Sequence, residues 1–216
     1  MRQLGKWLGR MVLLLILACA ALWYFGPYEP VKVSPEFDES AIGEDVDAYL
    51  ATQEARFGDI TAGVEKRVVW RHDPGQKTRR VLLYVHGFSA SSEELRPVPD
   101  RVAEALGANL MYTRLTGHGR SGEAMAEASV QAWMNDVAEA LAVARRLGDE
   151  IYVLSTSTGG TLVAEAALQP GLMRQVNGLM FVSPNFRINN PQAPLLTLPA
   201  ARYWGPLVAG KTRSFE

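Results

Sequence analysis

Ser157 lies in the segment Ile151-Tyr-Val-Leu-Ser155-Thr156-Ser157-Thr158-Gly159-Gly160-Thr161, where an apolar strand-like run passes directly into a helix through a turn of small residues. A serine held on so tight a strand-to-helix bend projects its hydroxyl above the sheet. The N-terminus of the following helix then offers positive potential to the anion formed when that hydroxyl attacks a carbonyl. The usual spacing of such a nucleophile elbow is G-x-S-x-G; here Ser155 replaces the first glycine, giving S-x-S-x-G. Gly159 and its neighbours must be small because the turn brings the helix and strand backbones together. Roughly seventy residues upstream, the run Arg80 to Val85 ends in His86-Gly87-Phe88-Ser89. A glycine at 87 lets the backbone turn so that the Phe88 N–H points toward the same pocket, and the N–H groups of Phe88 and Thr158 together would make an oxyanion hole. His86 reads as a structural histidine hydrogen-bonded to loop backbone rather than as a general base.

The elements needed to position these residues can be read from periodicity. Lys66 to Arg71 and Arg80 to Val85 are strand-like and are separated by the Asp73-Pro74-Gly75 turn signal. Pro99 to Leu106 predicts a short helix ended by Gly107, and Ala108 to Leu115 a third strand. Ser129 can cap a long helix to Leu147, with Trp133, Val137, Leu141 and Ala144 on one stripe and Gly148 as its stop. Ile151 to Leu154 is a fourth strand, Gly160 to Leu168 a helix halted by Pro170, and Gly178 to Ser183 a fifth strand. Strands alternating with helices, with apolar runs buried on both faces, predict an α/β fold with a mainly parallel sheet. Between Ser34 and Ala55 stand seven acidic residues and no Lys or Arg, while Val46, Tyr49, Leu50 and Phe57 recur at helical spacing. That predicts one amphipathic acidic helix with a solvated polar face.

His86-Gly87-Phe88, then Gly117-His118-Gly119-Arg120-Ser121-Gly122 after the next strand, then Ser157-Thr158-Gly159-Gly160 in the elbow, in that order and spacing, resemble the α/β-hydrolase superfamily. The G-H-G-x-S-G loop is similar to that of the monoacylglycerol lipase, lysophospholipase and serine aminopeptidase group, and the resemblance covers roughly residues 60 to 188. It implies Ser157 as nucleophile, an oxyanion hole from Phe88 and Thr158, and carboxylic esters of lipid-like alcohols as leading substrates. It also places His86, Gly87 and His118 in loops beside the pocket, His118 not being the triad histidine. The superfamily's acid and base follow the serine in the chain. Downstream of Ser157 there is no histidine, and the carboxylates are Glu165 and Glu216. The expectation is a hydrolase sheet truncated before its last strands, a fragment nearly inactive as it stands, with His118 as a substitute base the remaining option. A catalytically inactive binding module and a serine peptidase of the same superfamily are the alternatives.

Composition narrows the rest. With 22 Lys+Arg against 23 Asp+Glu there is no basic excess to neutralise phosphates, so nucleic acid is not an expected partner. The single Cys19 excludes an intrachain disulfide, and His72, His86 and His118 are too far apart for a zinc signature, so neither metal nor cofactor is expected. Arg2, Lys6 and Arg10 precede an uncharged run from Met11 to Phe25, flanked by Trp7 and by Trp23, Tyr24 and Tyr28. This predicts a membrane helix with a cytoplasmic N-terminus and a translocated, periplasmic or extracellular, body. A lipoprotein acylated at Cys19 and a cleaved signal are its rivals. The expected organisation is an anchor or signal segment at 1–28, a linker at 29–43, the hydrolase core at 44–188, and the start of a cap or an irregular extension at 189–216.

Overall fold

The computed structural model describes residues 2–187, 190–191 and 193–209 and divides into two units, Lys32–Phe186 and Met1–Val31 with Arg187–Glu216. The larger unit is built on a five-stranded sheet of β1 (Arg67–Val69), β2 (Thr78–Val85), β3 (Asn109–Tyr112), β4 (Gly148–Thr156) and β5 (Val176–Val182), in the spatial order β1-β3-β2-β4-β5. β1 runs antiparallel to β3, and every other pairing is parallel, which confirms the α/β expectation.

β2 shows why this sequence makes a central strand. Val81 to Val85 are fully buried, and the period of two sends alternate side chains to opposite faces. Val81, Leu83 and Val85 join Met134, Val137 and Leu141 on one side, whereas Leu82 and Tyr84 join Leu110, Tyr112 and Ala103 on the other. The first face is covered by α4 (Val130–Leu147) and α5 (Ser157–Ala166), the second by α3 (Val98–Leu106). The α4 N-terminus is set by Ser129, whose side chain accepts the Ala132 N–H at 3.1 Å. Gly148 does not open a loop after α4: it is the first residue of β4.

From β2 the chain steps to β3 on one side and then crosses back to β4 on the other, so the direction of winding reverses between β2 and β4. Such a switch point leaves a crevice at the carboxyl ends of the two strands. The register pairs Val85 with Ser155 there, which brings residues 86–89 and 156–159 side by side.

The acidic segment departs from the expectation of one helix. Gly43, at φ 68°, separates a 3-10 helix, Glu39–Ile42, from α2 (Val46–Glu54). Nor is its polar face merely solvated. Glu54 is buried against Arg114, and Glu39 pairs with both Arg145 and Arg174.

In the smaller unit, α1 (Arg2–Phe25) takes in the basic residues as well as the apolar run, and Cys19 lies exposed within it. Gln3–Phe25 is long and apolar enough to cross a bilayer. The tail is less irregular than its prolines suggest. It contains a 3-10 helix, Ala193–Thr197, and α6 (Ala201–Ala209), with the Ala200 N–H donating to the Pro27 carbonyl at 2.7 Å and Arg202 paired with Glu29 at 2.8 Å. Asn189 and residues 210–216 lie outside the described residues.

Candidate active site

β4 ends at Thr156, and the next residue, Ser157, has φ 49° while also beginning α5. A left-handed backbone at a non-glycine residue is strained by about 1–3 kcal/mol and has to be held by its surroundings. Here the surroundings are visible. A Cβ added to Gly159 would lie 2.4 Å from the His86 carbonyl oxygen and 2.5 Å from that of Val85, so only glycine lets α5 start this close to the end of β2. On the other side the Ser157 carbonyl accepts the Asn185 N–H at 3.0 Å, and Thr161 Oγ1 donates to the Asn185 carbonyl at 2.6 Å, tying the elbow to the loop after β5. Helix α5 therefore begins three residues before the expected Gly160, with the serine on the bend rather than inside a regular turn.

The loop after β2 closes against the elbow. A Cβ on Gly87 would lie 3.1 Å from Ser157 Cβ, so the two motifs touch at that point. His86 is fully buried. Its Nε2 accepts the Leu115 N–H at 3.0 Å, which leaves the proton on Nδ1 to donate to the Gly87 carbonyl at 2.8 Å. Burial pushes the His86 pKa down to about 3, and the neighbouring His118 and Arg114 add to the depression. The ring is neutral at physiological pH with both nitrogens committed. By fixing the Gly87 carbonyl it also fixes the Phe88 N–H, which points the opposite way across the same trans peptide. That N–H makes no hydrogen bond among the described residues, and the Thr158 N–H lies in the first turn of α5, where amides lack an intrahelical acceptor.

His118 is held in a similar way. Nε2 accepts the Ser89 N–H at 3.1 Å and Nδ1 faces the Thr116 carbonyl at 3.2 Å, while burial lowers its pKa. Its ring stacks within an aromatic cluster, 5.9 Å from Phe88 edge-on and 5.7 Å from Trp133, and Phe88 itself is 48% exposed. Among the described residues Ser157 Oγ has no hydrogen-bond partner, and neither His86 nor His118 offers it a free nitrogen.

Several supporting residues carry no motif that would mark them in the sequence. Arg114 forms a bidentate pair with Glu54 at 2.7 and 2.8 Å and donates to the His118 carbonyl at 2.9 Å. Asp136 accepts the Thr116 N–H at 2.6 Å. Burial drives the Asp136 carboxyl pKa upward, and Lys66, which also pairs with Glu139, opposes that. These groups fix the 116–119 loop to α2 and α4. Glu94 accepts the Gly87 N–H at 2.8 Å and the Tyr84 hydroxyl at 3.0 Å. A buried arginine or aspartate within an apolar stretch, such as Arg114 beside Leu115 or Asp136 within α4, is the one sequence signal that could have pointed to this shell. No group of three or more His, Cys, Asp or Glu suited to a metal occurs among the described residues.

Residues 76–212 match the family described as serine aminopeptidase, S33. A thermostable monoacylglycerol lipase of Bacillus sp. (strain H-257) is 33% identical over 81 residues, covering 38% of this chain and 32% of the lipase. A solved structure from work on the metagenome-derived lipolytic enzymes LipS and LipT superposes with a TM-score of 0.53 at 24% identity, covering 63% of this chain and 52% of that one. The chain thus spans about a third of the lipase and about half of the solved structure. The strand order, the sharp bend at Ser157 and the family match over more than half of the sequence converge: this chain belongs to the serine aminopeptidase S33 family of α/β-hydrolases.

Proposed function

We propose that the protein is a serine ester hydrolase whose nucleophile is Ser157. The observation that carries this is the left-handed Ser157 at the β4–α5 junction, in contact with the Gly87 loop. In the reaction a base takes the Ser157 hydroxyl proton while Oγ bonds to the acyl carbon and the carbonyl electrons move onto oxygen. The Phe88 and Thr158 N–H groups receive that oxyanion. Collapse expels the alcohol, which takes up the proton, and water then releases the acid from the acyl-enzyme. The half-exposed Phe88, with Trp133 and His118 behind it, offers an apolar wall to an acyl chain, and similarity to a monoacylglycerol lipase favours a lipid-like ester. The same groups would cleave an amide if the pocket admitted a peptide N-terminus. Helix α1 would tether the enzyme to a membrane, with the body on the translocated side of the three basic residues.

One observation favours a second reading, a binding module without catalysis: neither His86 nor His118, the two imidazoles in the loops beside Ser157, has a nitrogen free to take its proton. A fluorophosphonate probe separates the two. Applied to the protein expressed from its whole reading frame, it should label wild type and not Ser157→Ala. Absence of labelling in both favours the binding module.

A further inference from the structure

We propose that Glu94 is a positioning residue of the oxyanion hole, acting through the Gly87 N–H and coupling that loop to the residue before the nucleophile. The proposal rests on the serine-hydrolase reading of the same site.

Glycine has the widest backbone freedom of any residue. Gly87 nevertheless sits where small rotations would swing the Phe88 N–H away from an acyl oxygen. Two bonds remove that freedom. On the carbonyl side His86 Nδ1–H holds the Gly87–Phe88 peptide, as described above. On the amide side Glu94 Oε2 accepts the Gly87 N–H at 2.8 Å and so holds the His86–Gly87 peptide. With both flanking planes pinned, φ and ψ of Gly87 are set.

The same carboxylate oxygen reaches the other half of the site. It accepts the Tyr84 hydroxyl at 3.0 Å, and the Tyr84 oxygen lies 3.2 Å from Thr156 Oγ1. With Tyr84 donating to Glu94, the Thr156 hydroxyl is the donor to Tyr84. Thr156 immediately precedes Ser157, so a continuous chain of hydrogen bonds runs from the elbow through a buried tyrosine to the loop carrying Phe88. The carboxylate and the nucleophile also border the same glycine, since a Cβ on Gly87 would lie 2.8 Å from Glu94 Oε1 and 3.1 Å from Ser157 Cβ.

A negative charge near a developing oxyanion would oppose catalysis if it faced the oxyanion directly. Glu94 is solvent-exposed, so water screens its charge, while Oε2 is occupied by two donors. Its effect is therefore exerted through geometry, and substitution should alter the rate of acylation more than binding.

The test compares fluorophosphonate inactivation of wild type, Glu94→Ala and Glu94→Gln, resolved into the maximal rate and the concentration for half-maximal rate. Amide hydrogen exchange at Gly87 is measured by NMR on the same proteins. Glu94→Ala should lower the maximal rate about 10- to 100-fold, leave the half-maximal concentration nearly unchanged, and speed exchange of the Gly87 amide. Glu94→Gln keeps an acceptor of the same shape and should stay within about fivefold of wild type, with the Gly87 amide proton shifted upfield as a neutral acceptor replaces a charged one. A labelled Glu94→Ala protein with wild-type maximal rate, or an unchanged Gly87 amide, overturns the positioning role. A wild type that takes up no probe removes the hydrolase reading itself and the role with it, an outcome distinct from the other two.

Discussion

Ser157 combines two features that local preference opposes: a non-glycine residue in the left-handed region and a helix starting directly on a strand end. The fold can hold both because Gly159 lets the helix approach the carbonyls of Val85 and His86. The site therefore depends on a missing methyl group as much as on a hydroxyl. In Gly159→Ala, intrinsic helix propensity favours the alanine by about 1 kcal/mol. Crowding against two main-chain oxygens that no rotamer change can move opposes it by about 1–3 kcal/mol. The expected net result is a loss of stability in urea denaturation together with loss of probe labelling at Ser157. A variant as stable and as reactive as wild type would show that α5 does not need this close approach. His86 adds a second constraint at this scale: its neutral, doubly bonded ring orients the amide that Phe88 offers.

Among the elements, the helices and strands that carry an apolar period were legible in advance. β2, α3 and α4 lie within a residue or two of their expected positions because Val81 to Val85, the Pro99 start with Gly107, and Ser129 are local signals. What could not be read was the polar scaffolding. Glu54, Arg114, Asp136 and Lys66 are brought together only by tertiary folding, and in sequence Glu54 looked like one more solvated acid at the end of an acidic helix. The motif residues Ser157, Gly87 and His118 were readable because each loop has its own chemical signature. Glu94 was not, since its partners are a main-chain amide and a tyrosine in another element. The Glu54–Arg114 pair gives an element-scale prediction. Both side chains are largely buried, so Glu54→Ala leaves an unpaired guanidinium and should destabilise the protein by about 3–5 kcal/mol. The double variant Glu54→Leu with Arg114→Met should recover much of that loss in the same denaturation experiment. No loss in the single variant would mean that the pair does not anchor the 116–119 loop.

For the whole molecule, helix α1 bears on where the proposed hydrolase would work. In helix α1, Leu13, Leu14, Leu15, Ile16 and Leu17 are each more than half exposed, a cost in water that a bilayer would remove. If α1 is an anchor, the protein should remain in the membrane pellet after alkaline carbonate extraction. Introducing Leu14→Arg with Leu15→Arg, each costing about 2.5–3.5 kcal/mol at the centre of a spanning helix, should move it to the supernatant. Retention of the double variant in the pellet would place membrane attachment elsewhere. On the proposed function, tethering would let the protein meet its substrate in two dimensions, which would suit an ester that resides in the same bilayer.

Ser157 as nucleophile is tested most directly by the structure of the protein after reaction with an alkyl phosphonate, whose phosphoryl oxygen takes the place of the oxyanion. A bond from phosphorus to Ser157 Oγ is expected, with the phosphoryl oxygen about 2.7–3.1 Å from the backbone nitrogens of both Phe88 and Thr158. A phosphonate attached to another residue, or one on Ser157 whose oxygen turns away from those two amides, would contradict it.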